Sequence, residues 1–388
     1  MALLVCCSTL AVGQVTGRFY LPKETYAPGE PVFLYFEVTN SGSESQNILQ
    51  ADPYSFCSGY QIRVSTDPSS VSSCTPAFFA GDCMSSDRPL PSGKSYTERI
   101  LLNYEHKVDA PGDYQVEASR SLPYRIGTLP FFSEEPSETL EVHELLHFRI
   151  DPNSNVDQKI LQAFVRQLRS KDPEERRDAA RTLATLAPRS LEDVLLGFAD
   201  NPEFRWLAPL AFHRLNTERS MAAMATLLQK AEPGTYEHMK SADYLAESGD
   251  PKWFPLLLEV ARKKPQIANY VDDAAESGGE QALPLLLDLM RSPDTEFTRP
   301  NAVSAFAYTG SRAAVPILID LLRSPNLDTA QRALSGLRQL THFSKGGDPW
   351  FEKDPQSQQT NWLQWWMREG TKAHIYKANE CGEIAPLE

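Results

Sequence analysis

The chain has 388 residues, of which 41% are hydrophobic and 23% charged, an ordinary composition for a globular protein of more than one domain. Its net charge of −13 disfavours nucleic-acid binding, because neutralising phosphates requires an excess of Lys and Arg on one face. The same balance disfavours docking on anionic lipid headgroups. We therefore expect neither nucleic acid nor a membrane among its partners.

Residues 2–12 form an apolar run of 11 residues without a charged side chain. A bilayer-spanning helix needs about 20 such residues, so the run is too short to cross a membrane. It is typical of the core of a secretory signal, with Ala11-Val12-Gly13 as a small-residue cleavage site. Because no Lys or Arg precedes it, the alternatives are a truncated signal or a buried N-terminal strand. We expect residues 1–13 to be a truncated signal peptide and the protein to be periplasmic or secreted.

Three cysteines, Cys57, Cys74 and Cys83, lie within 27 positions of one polar segment. In an exported protein such a cluster indicates a disulfide that staples a long loop. A bond between Cys74 and Cys83 would close the shortest loop, and Cys57 could pair with either, so the connectivity stays open.

Residues 14–150 show the alternation of apolar and polar side chains that is typical of half-buried antiparallel strands. Turn sequences containing Pro and Gly separate the alternating stretches, as at 27–30, 91–93 and 110–113. About seven short strands in this length predict an antiparallel β-sandwich. The clearest alternating sets are Tyr60, Ile62 and Val64, and Tyr114, Val116 and Ala118.

The segments 19–40 and 109–116 carry a resemblance to a known kind of domain. The first contains Pro-Gly-Glu-Pro before a long strand pattern, and the second contains Ala-Pro-Gly-Asp-Tyr before a late one. Together they resemble an immunoglobulin-like domain of bacterial surface proteins. The resemblance implies an Ig-like sandwich and says nothing about activity.

After a polar, turn-rich linker at 151–156, the residues 157–345 read as helices in an internal repeat. Gly249, Gly278 and Gly310 are each followed six positions later by a proline that opens an aliphatic run. Weaker equivalents upstream give six anchor positions spaced 29–33 residues apart. The anchors are Leu161, Asp193, Ala222, Pro255, Pro284 and Pro316.

A repeat of about 30 residues holds two helices with their turns, and neighbouring units cover its apolar sides. Proline fits only the first turn of a helix, so each anchor proline marks where a helix begins. The pattern Gly310, Ala314-Val315-Pro316, Leu318, with Glu175-Arg176, Ala179-Ala180 and Leu183, resembles short HEAT repeats of the bilin-lyase type. That resemblance implies an α-α solenoid of about six repeats. Its members include scaffolds and a few enzymes, so the fold does not give the function.

The tail at 346–388 is rich in tryptophan. Trp350, Trp362, Trp365 and Trp366 lie within 17 positions, and the last three share one helix face. They could form an aromatic platform for a ligand, or they could cap the open end of the helix array. We expect a C-terminal cap, because the end of a repeat array must be covered.

The segment His143-Glu144-Leu145-Leu146-His147 matches the H-E-x-x-H signature of zinc proteases. That signature needs a helix, on which the two histidines converge on one metal. The surrounding alternation predicts a strand, on which His143 and His147 lie about 13 Å apart. We therefore reject His143, Glu144 and His147 as a metal site and expect no cofactor.

The carboxylates of Asp272, Asp273 and Glu276 could form an acidic patch for a cation or a basic peptide. We expect an ordinary solvated helix face there instead. Together these features predict an exported, non-enzymatic, monomeric scaffold that binds a protein partner of unknown identity. The alternative hypotheses are a zinc-dependent hydrolase acting through His143, or a lyase-like enzyme accessory protein.

Overall fold

The structure is a computed structural model with two compact units, divided after Gln167. It describes residues 15–51, 53, 58–66, 85–106, 108, 110–126, 138–292, 297–344, 354–370, 372–376 and 385–386. The predicted order, β structure followed by helices, is confirmed. Within the described residues, no helix combines the length and apolar character needed to cross a membrane.

The first unit holds the strands of the chain's N-terminal part, with two helices. The strands are β1 Val15–Tyr20, β2 Thr25–Tyr26, β3 Phe33–Asn40, β4 Gln46–Ala51, β5 Tyr60–Ser65, β6 Ser85–Leu90, β7 Ser95–Leu101, β8 Gly112–Ile126 and β9 Glu138–Ile150, and the helices are α1 Leu102–Glu105 and α2 Gln158–Gln167.

These strands form two sheets. One has the order β1-β3-β7 and is antiparallel throughout. The other has the order β2-β9-β8-β4-β6, with β5 also paired to β8, and only β2 runs parallel to its neighbour β9. Leu34, Phe36 and Val38 of β3 are buried with Val116 and Phe148 of the second sheet in one hydrophobic cluster. The two sheets therefore share a single core.

The boundary between the units falls later than the predicted linker at 151–156. Helix α2 belongs to the first unit, where the ring of Phe164 lies 6.3 Å from the ring of Phe33 on β3. An apolar helix face thus packs beside the sheet that precedes it in the chain.

The core of the first unit contains an ion pair. The Arg120 guanidinium donates to the Glu98 carboxylate and to the Tyr60 hydroxyl, and the side chains of Arg120 and Glu98 are 1% and 4% exposed. The guanidinium also lies over the rings of Phe36 and Tyr60, at 4.7 and 4.2 Å from their centroids. Burial raises the pKa of the Tyr60 hydroxyl well above its ordinary value.

Replacing Glu98 with Gln should destabilise the chain by about 3–5 kcal/mol, because it leaves the buried Arg120 charge uncompensated. Chemical denaturation followed by circular dichroism measures the change. The control is Glu117→Gln, which removes an exposed pair with Arg63 and should cost about 0–1 kcal/mol. Equal effects of the two substitutions would contradict the stabilising role of the buried pair.

The second unit is helical. Its helices are α3 Pro173–Leu186, α4 Glu192–Leu196, α5 Ala208–Leu215, α6 Glu218–Lys230, α7 Tyr236–Glu247, α8 Phe254–Lys263, α9 Ala268–Gly278, α10 Leu283–Met290, α11 Thr298–Ala305, α12 Ala314–Leu321, α13 Leu327–Thr341 and α14 Gln359–Glu369. A short parallel pair, β10 Phe343–Ser344 with β11 Ala385–Pro386, completes its described elements.

Helices α3, α5, α7, α9, α11 and α13 form a stack in which each contacts the next in chain order. We call these six helices the helix stack. The intervening helices pack against it: α6 on α5 and α7, α8 on α9, α10 on α11, and α12 on α13. The six anchor positions found in the sequence lie in α2, α4, α6, α8, α10 and α12.

The equivalent glycines of the repeat have different local roles. Gly249 and Gly310 adopt φ angles of 64° and 54°, which only glycine adopts without strain. In the repeat between these two, Gly279 is the residue with the positive φ angle, 54°. Gly278 instead allows a neighbouring side chain to pack closely against α9. A Cβ atom on Gly278 would overlap the ring of Phe254 at the start of α8.

Replacing Gly278 with Ala should therefore destabilise the second unit by about 1–3 kcal/mol, through overpacking against a rigid ring. Thermal unfolding measures the effect. Gly197→Ala is a matched control, because a Cβ there meets no atom within 4 Å. Unchanged stability of Gly278→Ala would contradict the close approach of α8 and α9.

Candidate functional site

The H-E-x-x-H segment lies in strand β9, with His143, Glu144 and His147 all exposed. In the pairing with β8, His143 is opposite Ser119 and His147 is opposite Gln115. The two histidines are thus four positions apart on a strand, as the alternation predicts. Among the residues that the structure describes, no three His, Cys, Asp or Glu side chains are arranged to hold a metal ion.

Several predicted features lie outside the described residues. They are the proposed signal at 1–13, the disulfide candidates Cys57, Cys74 and Cys83, and Trp350.

The remaining tryptophans of the tail pack into the second unit. On α14, Trp362 and Trp365 are 1% and 3% exposed and belong to the same hydrophobic cluster as Leu318 and Leu340. Trp366 packs against this cluster, with the Arg312 guanidinium 5.8 Å from its ring centroid. The buried indoles of Trp362 and Trp365 have no free face for a ligand, so in the structure they serve the hydrophobic core.

A concentration of carboxylates lies where α7 and α9 meet in the helix stack. Helix α7 carries Asp243 and Glu247 one turn apart, and α9 carries Asp272, Asp273 and Glu276. We call these five residues the acidic face. Since α7 and α9 contact each other along the stack, their carboxylates act on one another.

The two adjacent aspartates of α9 interact with charged groups on different helices. Asp273 interacts with Asp243 and Lys240 of α7, whereas Asp272 interacts with Arg332 of α13. Glu276, one turn further along α9, acts on both aspartates. The charges that act on the two aspartates therefore come from two different helices, α7 and α13.

Asp273 does not lie on a solvated helix face, contrary to the expectation from sequence. Asp273 is 5% exposed, and its Oδ2 atom is buried without a hydrogen-bond partner. The Oδ1 atom of Asp272 and the Oγ atom of Ser277 are also buried without a hydrogen-bond partner. A buried acceptor without a donor costs about 1–3 kcal/mol, and more when it is charged.

The basic side chains near the acidic face have other partners as well. The Lys240 ammonium donates to Asp243 Oδ2 at 2.6 Å. The Arg332 guanidinium donates to Asp328 Oδ2 at 2.9 Å and to Ser304 Oγ at 3.0 Å. Lys240 lowers the pKa of Asp273, and Arg332 lowers that of Asp272. Each of these cations also donates hydrogen bonds to other groups.

The electrostatics follow from burial and from crowding of like charges. Burial, together with Asp243, Asp272 and Glu276, raises the pKa of the Asp273 carboxyl well above its ordinary value. Burial and Glu276 raise the pKa of Asp272 to about 8. The pKa of Glu247, which is about one-third exposed, rises to about 7 for the same reasons. The acidic face therefore holds protons near neutral pH.

Two rings lie beside the acidic face. Burial and four of its carboxylates raise the pKa of Tyr308, in the turn after α11, to about 12. His213 of α5 stacks on Tyr244 of α7 with ring centroids 4.3 Å apart, and its Nε2 atom lies 3.8 Å from Glu247 Oε2. Side chains from α5, α7 and α9, and from the turn after α11, thus contribute to this surface.

One sequence signal does identify Asp273. It lies 18 positions after the anchor Pro255, and the same offset from Pro284 and Pro316 gives Ala302 and Leu334. Both of those residues are fully buried. Reading the repeats in register therefore places a carboxylate at a core position of α9.

Comparison with solved structures finds distant likenesses. An engineered protein matches at 17% identity, over 52% of this chain and 67% of that chain, with a TM-score of 0.29. The complex of CpcE and CpcF of phycocyanin lyase, from a Nostoc species, matches at 18% identity over 54% and 82%, with a TM-score of 0.28. The native conformation of E. coli alpha-2-macroglobulin matches at 12% identity over 84% and 25%, with a TM-score of 0.18. At such TM-scores the likenesses carry no statement about fold or function.

No family model matches the chain, and no curated protein matches it.

The raised pKa of the buried aspartates predicts that stability falls as pH rises. In the unfolded chain these carboxyls ionise near 3.8, whereas folded Asp272 stays protonated up to about pH 8. These groups therefore favour the folded chain most below about pH 4, where they are protonated in both the folded and the unfolded state. This contribution to stability is lost as pH rises through about 8. The groups that act on them are Lys240, Asp243, Glu276, Tyr308 and Arg332.

The double substitution Asp272→Asn with Asp273→Asn should flatten this loss between about pH 6 and 9, and should raise the melting temperature at about pH 9 by at least about 3 °C. Thermal unfolding across this range is the measurement. The control Asp320→Asn, on the exposed side of α12, should follow the wild type. A double variant that is less stable than wild type at high pH would contradict the assigned burial.

Proposed function

We propose that the chain is an exported, non-enzymatic scaffold for protein–protein interaction, with an Ig-like β-sandwich followed by a HEAT-type solenoid. The chain-order contacts within the helix stack support the solenoid, because repeats of this kind cover one another's apolar sides. Two sheets around one core support the sandwich. The apolar run at 2–12 supports export.

The acidic face is the observation that carries the binding role. An inert spacer would gain stability from an apolar residue at position 273, as other repeats have at Ala302 and Leu334. Carboxylates kept there at a cost in stability are typical of functional sites. A protein partner that supplies positive charge to this surface offsets that cost on binding.

Charge reversal at the edge of the acidic face tests this proposal. Wild-type protein immobilised on a resin should retain a protein from the envelope fraction of its source cells, in near-equimolar amount. Glu247→Arg should lose it, because an added cation repels a basic partner. Asp320→Arg makes the same charge change on α12 and should retain it. Retention by Glu247→Arg at the wild-type level, or no retained protein at all, would overturn the proposal.

A further inference from the structure

A buried chain of hydrogen bonds joins α9 to α7 and to the turn that precedes α7. The backbone N–H of Gly234, in that turn, donates to the hydroxyl oxygen of Tyr270 on α9 at 2.8 Å. The same oxygen lies 2.6 Å from Nδ1 of His238 on α7. Tyr270 is fully buried and His238 is 3% exposed, so water has little access to these hydrogen bonds.

The hydrogen bonds determine which nitrogen of the imidazole carries the proton. The Tyr270 oxygen accepts from Gly234, so the single hydrogen of the hydroxyl needs an acceptor of its own. Nδ1 of a neutral His238 ring provides that acceptor when the proton of the ring is on Nε2. A proton on Nδ1 would instead donate to the tyrosine oxygen and leave the buried hydroxyl hydrogen without an acceptor. The neutral ring with an unprotonated Nδ1 is therefore the state that satisfies both hydrogen bonds.

The surroundings of His238 provide little compensation for a positive charge. Burial lowers the pKa of the imidazole, and Glu237 of the same helix opposes this shift. Among the described residues, the other helices that pack on α7 contribute no further charged group that acts on the ring. On the α9 side, Asp273 acts on Tyr270, the hydrogen-bond partner of the ring. Protonation therefore places a buried charge beside a hydroxyl that has lost its acceptor.

The next pair of helices in the helix stack has a similar link without a titratable ring. Asn301 of α11 donates from Nδ2 to the carbonyl oxygen of Pro265, in the turn that precedes α9, at 3.1 Å. In both pairs, a side chain of the later helix bonds to the turn before the earlier helix. The link between α7 and α9 differs because it includes an imidazole, which titrates near neutral pH.

We propose that His238 and Tyr270 form a pH-sensitive latch, which holds α9 against α7 when the imidazole is neutral and releases it when the imidazole is protonated. Residues of the acidic face lie on both of these helices. Release therefore frees the two parts of that face from a fixed arrangement.

The direction of the pH effect follows from the difference between the buried and the released ring. A released His238 takes up a proton near its ordinary pKa of 6.5, whereas burial lowers the pKa of the ring in the folded chain. The latch is therefore fully stabilising above about pH 6.5 and weakens as pH falls below that value.

Urea denaturation of the full chain at about pH 7 and about pH 5.5, followed by circular dichroism, tests the latch. His238→Asn keeps an acceptor oxygen for the Tyr270 hydroxyl but does not titrate. Relative to this variant, the unfolding equilibrium constant of the wild type should rise by about eight-fold between the two pH values. The buried aspartates are present in both proteins, so their opposite pH dependence cancels in the comparison. The same pH dependence in both proteins would overturn the proposal.

Asn301→Ala is the matched control, because it removes the similar link between α11 and the turn before α9. This variant should be less stable than the wild type but should keep its pH dependence. Loss of that dependence in Asn301→Ala would place its origin outside His238 and would overturn the assignment.

Hydrogen exchange locates the release within the wild-type chain. Acidification from about pH 7 to about pH 5.5 should reduce the protection of amides in α9 and in the turn before α7 by about eight-fold, after correction for the intrinsic exchange rate. Helix α13 is the internal reference and should keep its protection. An equal loss of protection in α13 would indicate unfolding of the whole unit and would overturn a local latch.

The position of the proton on the ring provides a test that does not depend on stability. ¹⁵N NMR of the wild type at about pH 7 should show His238 with a proton on Nε2 and none on Nδ1. A ring that carries a proton on Nδ1 at that pH, whether neutral or charged, would overturn the hydrogen-bond pattern on which the latch depends.

Discussion

The second unit depends on close contact between successive helices of the helix stack, and small side chains make that contact possible. Alanine permits helix backbones to approach closely. The fully buried alanines of the helix stack are Ala179, Ala180, Ala184, Ala208, Ala211, Ala242, Ala274, Ala275, Ala302, Ala305, Ala330 and Ala333. Because such a stack is tightly packed, polar groups within it are difficult to hydrate.

Asp273 is the clearest exception to this packing rule. Its neighbours in the sequence, Ala274 and Ala275, are fully buried, so its side chain starts from a backbone position inside the stack. Its carboxylate faces Asp243 and Glu276, and neither provides a donor when ionised. The chain lowers the cost by holding protons there, which leaves a surface that can exchange those protons for a cation. Stability and binding are thereby linked to the same groups.

Much of the architecture follows from local sequence patterns. Each anchor found from the repeat lies in a helix, because proline at a first turn and aliphatic runs are strong local signals. The strands were less well delimited. Pro123, a residue that usually ends a strand, lies inside the 15-residue strand β8, where the long pairing with β9 outweighs its local preference.

The acidic face was not predicted, because its character is a property of helix packing. In isolation Asp272, Asp273 and Glu276 resemble any charged helix surface, and the charges that act on them come from α7 and α13. Only the repeat register, with Asp273 aligned to the buried Ala302 and Leu334, carries the information in the sequence. By contrast, the H-E-x-x-H match has little meaning once its strand is known, since strand geometry keeps His143 and His147 apart.

The most direct test of this account is the protonation state of the buried carboxylates, measured by ¹³C NMR of the aspartate side chains and assigned with single Asn variants. The Asp272 carboxyl should titrate near pH 8 in the free protein. Titration of Asp272 and Asp273 near their ordinary value of 3.8 in the free protein would contradict it.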